Sequence, residues 1–238
     1  MSGPRTPLLR PSRYFAAHDG SPPLAHAATA VAVVALVTAA GLAVLLNEFA
    51  TALNTTITVD NPAYPGDPFC ENPAARETPT PAGCGEPKTV QRDLGALVAE
   101  RFSWLPLAAF VGVPAFWLFE AVVLHAASGL AGGSGAFRDT LAVAGWGMTP
   151  SVLRVAASAG FVVVRLPTLS GSPESAVAGL EAAVAGLGSV GFAAAVVVAL
   201  WGGVIRTYGL VEARELAFDG AVAVVELLTL LGLLVELI

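Results

Sequence analysis

Polar and apolar positions in this chain do not alternate along one stripe; they fall in blocks. Ala27–Leu46 is an apolar run without a charge. Four more blocks follow: Leu105–Leu130, broken by Glu120 and His125; Leu141–Val164, broken by Arg154; Gly188–Ile205, with an Ala-rich approach from Ala176; and Ala221–Ile238, which carries Glu226 and, near its end, Glu236. About 20 apolar residues of helix cross the ~30 Å hydrocarbon layer of a bilayer. Helices apolar on every side are surrounded by lipid or by other helices. The pattern predicts an all-α fold, a polytopic integral membrane bundle of five transmembrane helices spanning residues 26–238. Residues 1–25 form a Pro- and Arg-rich cytoplasmic lead-in, and a long extracytoplasmic loop, 48–103, separates helices one and two.

Two amphipathic pieces flank the first two spans. In "TVQRDLGALVAERFSW" the residues Val90, Leu94, Leu97 and Val98 share a stripe, which predicts a short helix near 89–103 on the outer interface, with Trp104 marking the entry of span two. "RYFAA", Arg13–Ala17, reads as a surface piece whose Tyr14 and Phe15 enter the membrane interface. The first apolar run is too long, and too far into the chain, for a cleaved signal, whose core is about 7–15 residues; it is expected to be retained.

Composition agrees. Hydrophobic residues make 55% of the 238 positions and charged ones 13%, about half the density of soluble domains; mean hydropathy is +0.71. Short alternating segments of the kind that build membrane barrels are not seen. Arg5, Arg10 and Arg13 precede span one, Arg138 lies between spans two and three, and Arg206 and Arg214 lie between spans four and five. Cytoplasmic segments carry the arginines, so the N-terminus is expected inside and the C-terminus outside, in the plasma membrane. Lys88 is the only lysine, the net charge is -6, and the acids gather in the outer loop. A halophilic prokaryote produces that balance, and so does GC bias alone. No basic cluster points to nucleic acid.

The outer loop holds both cysteines, Cys70 and Cys84. An oxidising compartment and Pro/Gly-rich surroundings favour a disulfide over two free thiols or an incomplete metal pair. Asn54, in "NTT", fits the N-glycosylation pattern.

No catalytic set or cofactor motif is present: His18, His26 and His125 are isolated, and no HExxH, paired CxxC or phosphate loop occurs. "GGSG", within Gly129–Asp139, reads as a flexible turn between spans. Ionisable residues inside spans are functional flags, costing about 2.5–3.5 kcal/mol each at mid-span. At about 1.5 Å per residue, Glu120 lies ~14 Å deep, Arg154 ~21 Å and Glu226 ~10 Å. As a trio they form either a structural clamp, with Arg154 neutralising a carboxylate, or a polar transport site. With no internal repeat of the transporter kind, the clamp is the expectation. In "GWGMTP", Gly145 and Gly147 read as helix contact points, Trp146 as a packing anchor and Pro150 as a kink that frees a carbonyl near Trp146.

The order of these features resembles the YIP family of Ypt/Rab-interacting membrane proteins, especially its archaeal, haloarchaeal-like members. The residues that carry the likeness are Gly132, Gly133, Gly135 and Phe137; then Gly145, Trp146, Pro150, Val152 and Leu153; then Trp201, Tyr208, Gly209 and Leu210; and the Pro11–Phe15 lead-in. The resemblance implies five spans, a cytosolic N-terminus and a non-enzymatic membrane organiser that meets itself or other membrane proteins. Eukaryotic relatives bind small GTPases through a long cytosolic N-terminal domain, and the short lead-in here gives no support for that activity. The outer loop departs from the compact family pattern. The competing class is a small-solute or ion permease subunit using Glu120, Arg154 and Glu226.

Overall fold

The computed structural model describes residues 5–53, 55–71, 82–165 and 173–235, and it is mostly helical. The elements in chain order are α1 (Pro11–Ala16), α2 (Leu24–Ala52), β1 (Thr56–Asp60), α3 (Asp67–Cys70), β2 (Thr89–Asp93), α4 (Leu94–Phe102), α5 (Leu105–Leu130), α6 (Phe137–Met148), α7 (Ser151–Arg165), α8 (Pro173–Ala213) and α9 (Phe218–Val235). Two compact units result, one of Met1–Leu45 with Trp104–Ile238 and one of Leu46–Ser103.

Among the described residues four helical stretches are long and apolar enough to cross a membrane: Leu24–Ala52, Leu94–Leu130, Phe137–Arg165 and Ala185–Ala213. The fifth expected span, Ala221–Ile238, contains most of α9, and its last three residues lie outside the described ones.

In the larger unit α6 is the central element. Residues 142–148 are all buried, because Ala142, Ala144, Gly145 and Gly147 let neighbouring helices approach closely. A Cβ at Gly145 would lie 3.0 Å from Trp117 Nε1 on α5 and 3.2 Å from Ala27 and Val31 on α2. Tyr14, Phe15, Val143, Trp146 and Ile205 pack on one side of α6; Leu124, Leu210, Val224 and Val225 join Ala144 on the other. The large apolar side chains that remain exposed, among them Leu107, Phe116 and Phe119 on α5, Leu200 on α8 and Leu230 on α9, line helix exteriors. Water penalises such a surface and lipid does not.

The lead-in differs from expectation. It folds into α1, and Tyr14 and Phe15 are fully buried rather than at an interface. Tyr14 meets Trp146 edge-on at 5.7 Å, and the Trp201 indole N–H donates to the Leu8 carbonyl at 2.8 Å. Packing against α6 and α8 gives the two rings more contact than a headgroup layer offers.

In the smaller unit, β1 and β2 pair antiparallel from Thr56 with Asp93 to Asp60 with Thr89. The helix expected near 89–103 therefore begins only at Leu94. Asp93 ends the strand and caps the helix, its carboxylate accepting the Ala96 N–H at 2.7 Å, as N-cap aspartates do. Cys70 and Cys84 are joined in a disulfide, their Cα atoms 5.4 Å apart. Lys88 bridges Asp67 at 2.6 Å and Glu71 at 2.9 Å, and the Tyr64 hydroxyl donates to Asp67 at 2.7 Å. Asn54 lies outside the described residues.

Candidate intramembrane charge site

Glu120 on α5 makes an ion pair with Arg206 on α8, its Oε1 accepting from Arg206 Nε. Both side chains are more than four-fifths buried. The sequence placed Arg206 in a loop after span four; instead α8 continues to Ala213, so Arg206 sits about 10 Å inside that helix end, at a depth similar to Glu120. Two glycines make the space. A Cβ at Gly147 would lie 2.7 Å from Arg206 Cγ and Nε, and a Cβ at Gly202 would lie 2.5 Å from both Arg206 Nη1 and the Gly147 carbonyl. The guanidinium is thus held where α6 and α8 touch backbone to backbone.

Of the other two members of the expected trio, Arg154 is half-buried on α7 and is itself engaged within the chain, while Glu226 is exposed on α9. The carboxylate partner that forms is Glu120 with Arg206. Glu120 Oε2 and Thr149 Oγ1 are buried polar atoms without a hydrogen-bond partner among the described residues.

The third apolar stretch is divided next to Pro150. α6 stops at Met148 and α7 restarts at Ser151. Pro150 has no N–H to offer the Trp146 carbonyl; the Thr149 N–H takes it instead, at 3.2 Å, and the Ser151 hydroxyl donates to the Met148 carbonyl at 2.7 Å.

A second polar node closes the helix ends. Arg214 is buried, and its guanidinium donates to Ser128 Oγ at 3.0 Å and to the carbonyls of Gly133 and Gly135. The Ser134 N–H returns a bond to the Arg214 carbonyl at 2.9 Å, and its hydroxyl donates to Glu215. Gly135 has φ +93 and stands so near the Ala213 carbonyl that a Cβ would lie 2.5 Å from it. The "GGSG" segment, expected to be flexible, is a turn built around one arginine. His125, read as isolated, shares a 3.0 Å hydrogen bond with the buried Thr140. No group of three or more His, Cys, Asp or Glu able to hold a metal occurs among the described residues.

The Yip1 domain model matches residues 6–237. The chain belongs to the Yip1 domain family. No curated protein and no solved structure matches it. The Yip1 resemblance residues are mainly packing residues: Gly145 and Trp146 lie on the buried α6, Trp201 ties the lead-in to α8, and a Cβ at Gly209 would meet Val143 at 2.5 Å. Arg206, Ser128, Thr140 and Arg214 were missed as site residues. The i, i+4 spacing of Gly202, Arg206 and Leu210 was the available signal, since it places a small residue, a charge and an apolar anchor on one helix face.

Proposed function

We propose that this Yip1 domain chain is a non-enzymatic, multi-pass membrane organiser that associates with itself or with other membrane proteins. The Glu120–Arg206 pair carries the reading, because a charge pair locked between glycine contacts suits a helix clamp, leaving lipid-soluble apolar faces for assembly. The topology proposed has five spans, a cytoplasmic N-terminus and an extracytoplasmic C-terminus. It places residues 48–103 outside a plasma membrane, where the Cys70–Cys84 bridge suits oxidising conditions. The lysine-poor, acidic composition supports an archaeal, halophilic source. The lipid bilayer is the constant partner; neither nucleic acid, a small GTPase nor a cofactor enters the proposal. Copurification in mild detergent followed by mass spectrometry tests it: stoichiometric capture of a membrane protein, or a defined homo-oligomer, is expected, and a strict monomer with saturable solute flux in liposomes overturns it.

A second reading, a permease subunit using Glu120, Arg154 and Glu226, draws on the unpartnered Glu120 Oε2. Its signature is saturable flux lost in a folded Arg154→Ala variant.

A further inference from the structure

Beside the lead-in lies a cleft of ≈ 680 Å³ lined by Arg5, Thr6, Ala17, His18, His26, Thr29 and Trp146. Its chemistry runs against the rest of the chain. Acids outnumber arginine and lysine 18 to 12 overall, yet the described lining has three nitrogen bases and no carboxylate. These groups come from three separate segments: the stretch before α1, the turn after it and the first turns of α2. They meet only because α1 folds back onto α6 and α8.

The orientation of two groups is fixed. The His18 Nδ1 lies 2.7 Å from the Tyr14 carbonyl. A carbonyl only accepts, so Nδ1 carries a hydrogen, and Nε2 donates to a ligand oxygen only in the imidazolium form. Thr29 donates its hydroxyl to the Ala25 carbonyl at 2.8 Å, leaving Arg5, Thr6 and His26 as the available donors, joined by His18 in its imidazolium form. Trp146, 6% exposed, closes the cleft from the α6 side.

We infer that this cleft is a binding site for a phosphate group. Arg5 offers the planar fork that matches phosphate oxygens, with His18 and His26 flanking it and the cleft opening immediately before the first span. That position serves a phospholipid headgroup or a soluble phosphate, and the experiment separates the two.

The full-length protein is placed in phosphatidylcholine nanodiscs doped with phosphatidylglycerol, and the lipid retained after gentle release is read by native mass spectrometry. Inorganic phosphate is then titrated in as competitor. Retention of phosphatidylglycerol over phosphatidylcholine, reduced about tenfold or more by Arg5→Gln with His26→Gln, is expected from the loss of charge-assisted bonds. Arg13→Gln, an exposed arginine that does not line the cleft, is expected to retain lipid like the parent. Phosphate binding lost in the double variant, without lipid preference, assigns the site to a soluble phosphate. Unchanged binding of both probes in a double variant whose melting curve is normal overturns the inference. An equal loss in Arg13→Gln overturns it too, since general surface charge then explains the binding.

Discussion

Gly147 owes its identity to Arg206: the hydrogen it carries faces the Cγ, Nε and Cζ atoms of that arginine, all within 2.8 Å of where a methyl carbon would stand. α6 therefore cannot gain a side chain here without moving the guanidinium away from Glu120. Gly147→Ala is expected to lower stability by about 1–3 kcal/mol, the usual cost of overpacking, and Gly147→Leu by more. Unfolding in a graded SDS–detergent mixture measures both; a Gly147→Leu variant as stable as the parent contradicts the contact.

The ion pair itself gives a second expectation. Removing one partner leaves a buried charge alone, which costs about 3–5 kcal/mol, whereas replacing both with apolar groups of similar size is often neutral. Glu120→Gln and Arg206→Met should each destabilise strongly, and Glu120→Met with Arg206→Met should recover most of the loss. A double-mutant cycle in detergent reads the coupling, and additive losses argue against a clamp.

Arg214→Lys keeps the charge but not the fork. A single ammonium does not reach Ser128, Gly133 and Gly135 together, so at least one of these three acceptors loses its donor. Faster amide exchange at Ser134, whose N–H bonds the Arg214 carbonyl, is the expected readout, at a stability cost of about 1–3 kcal/mol.

The disulfide ties sidedness to a simple assay. After reduction, an impermeant maleimide should label Cys70 and Cys84 in intact cells; protection until lysis reverses the proposed orientation. Closure of a loop of about 15 residues contributes roughly 3 kcal/mol in the chain-entropy view, so reduction should also loosen residues 46–103 to protease.

The same unit has a predictable response to pH. The Lys88 ammonium and the Tyr64 hydroxyl hold the Asp67 carboxyl below its usual range, and the two carboxylates hold Lys88 above its own. A depressed carboxyl stabilises the fold above its unfolded pKa of about 4 and loses that contribution as pH falls through the folded value. A raised lysine contributes fully below its unfolded pKa of about 10.4 and loses the effect as pH climbs through the higher folded value. The cluster should therefore be constant between about pH 5 and 9. Protection of the β1–β2 amides, relative to exchange of the unstructured peptide at the same pH, should fall towards pH 3, and less so in Asp67→Asn.

Four of the spans were legible because lipid demands continuous apolar helix. The partner of Glu120 was not. Depth estimates give position along the membrane normal, whereas pairing depends on which helix face turns inward and where a helix really stops, and α8 runs past Ile205 to Ala213. The β1–β2 hairpin was hidden for a related reason. Thr56–Asp60 alternates but Thr89–Asp93 does not, and their pairing spans a separation that no local pattern encodes. Tyr14 and Phe15 were recognised as amphipathic anchors; their burial came from tertiary packing, which propensity cannot supply.

The bond from Trp201 to the Leu8 carbonyl bears on biogenesis. Leu8 leaves the ribosome long before Trp201 is made, and domains settle as they emerge, N-terminal parts usually first. Here the order is reversed for the lead-in: α1 has no finished surface to rest on until α6 and α8 have been inserted. α1, translated before α6 and α8, is thus fixed only after both of them are in place.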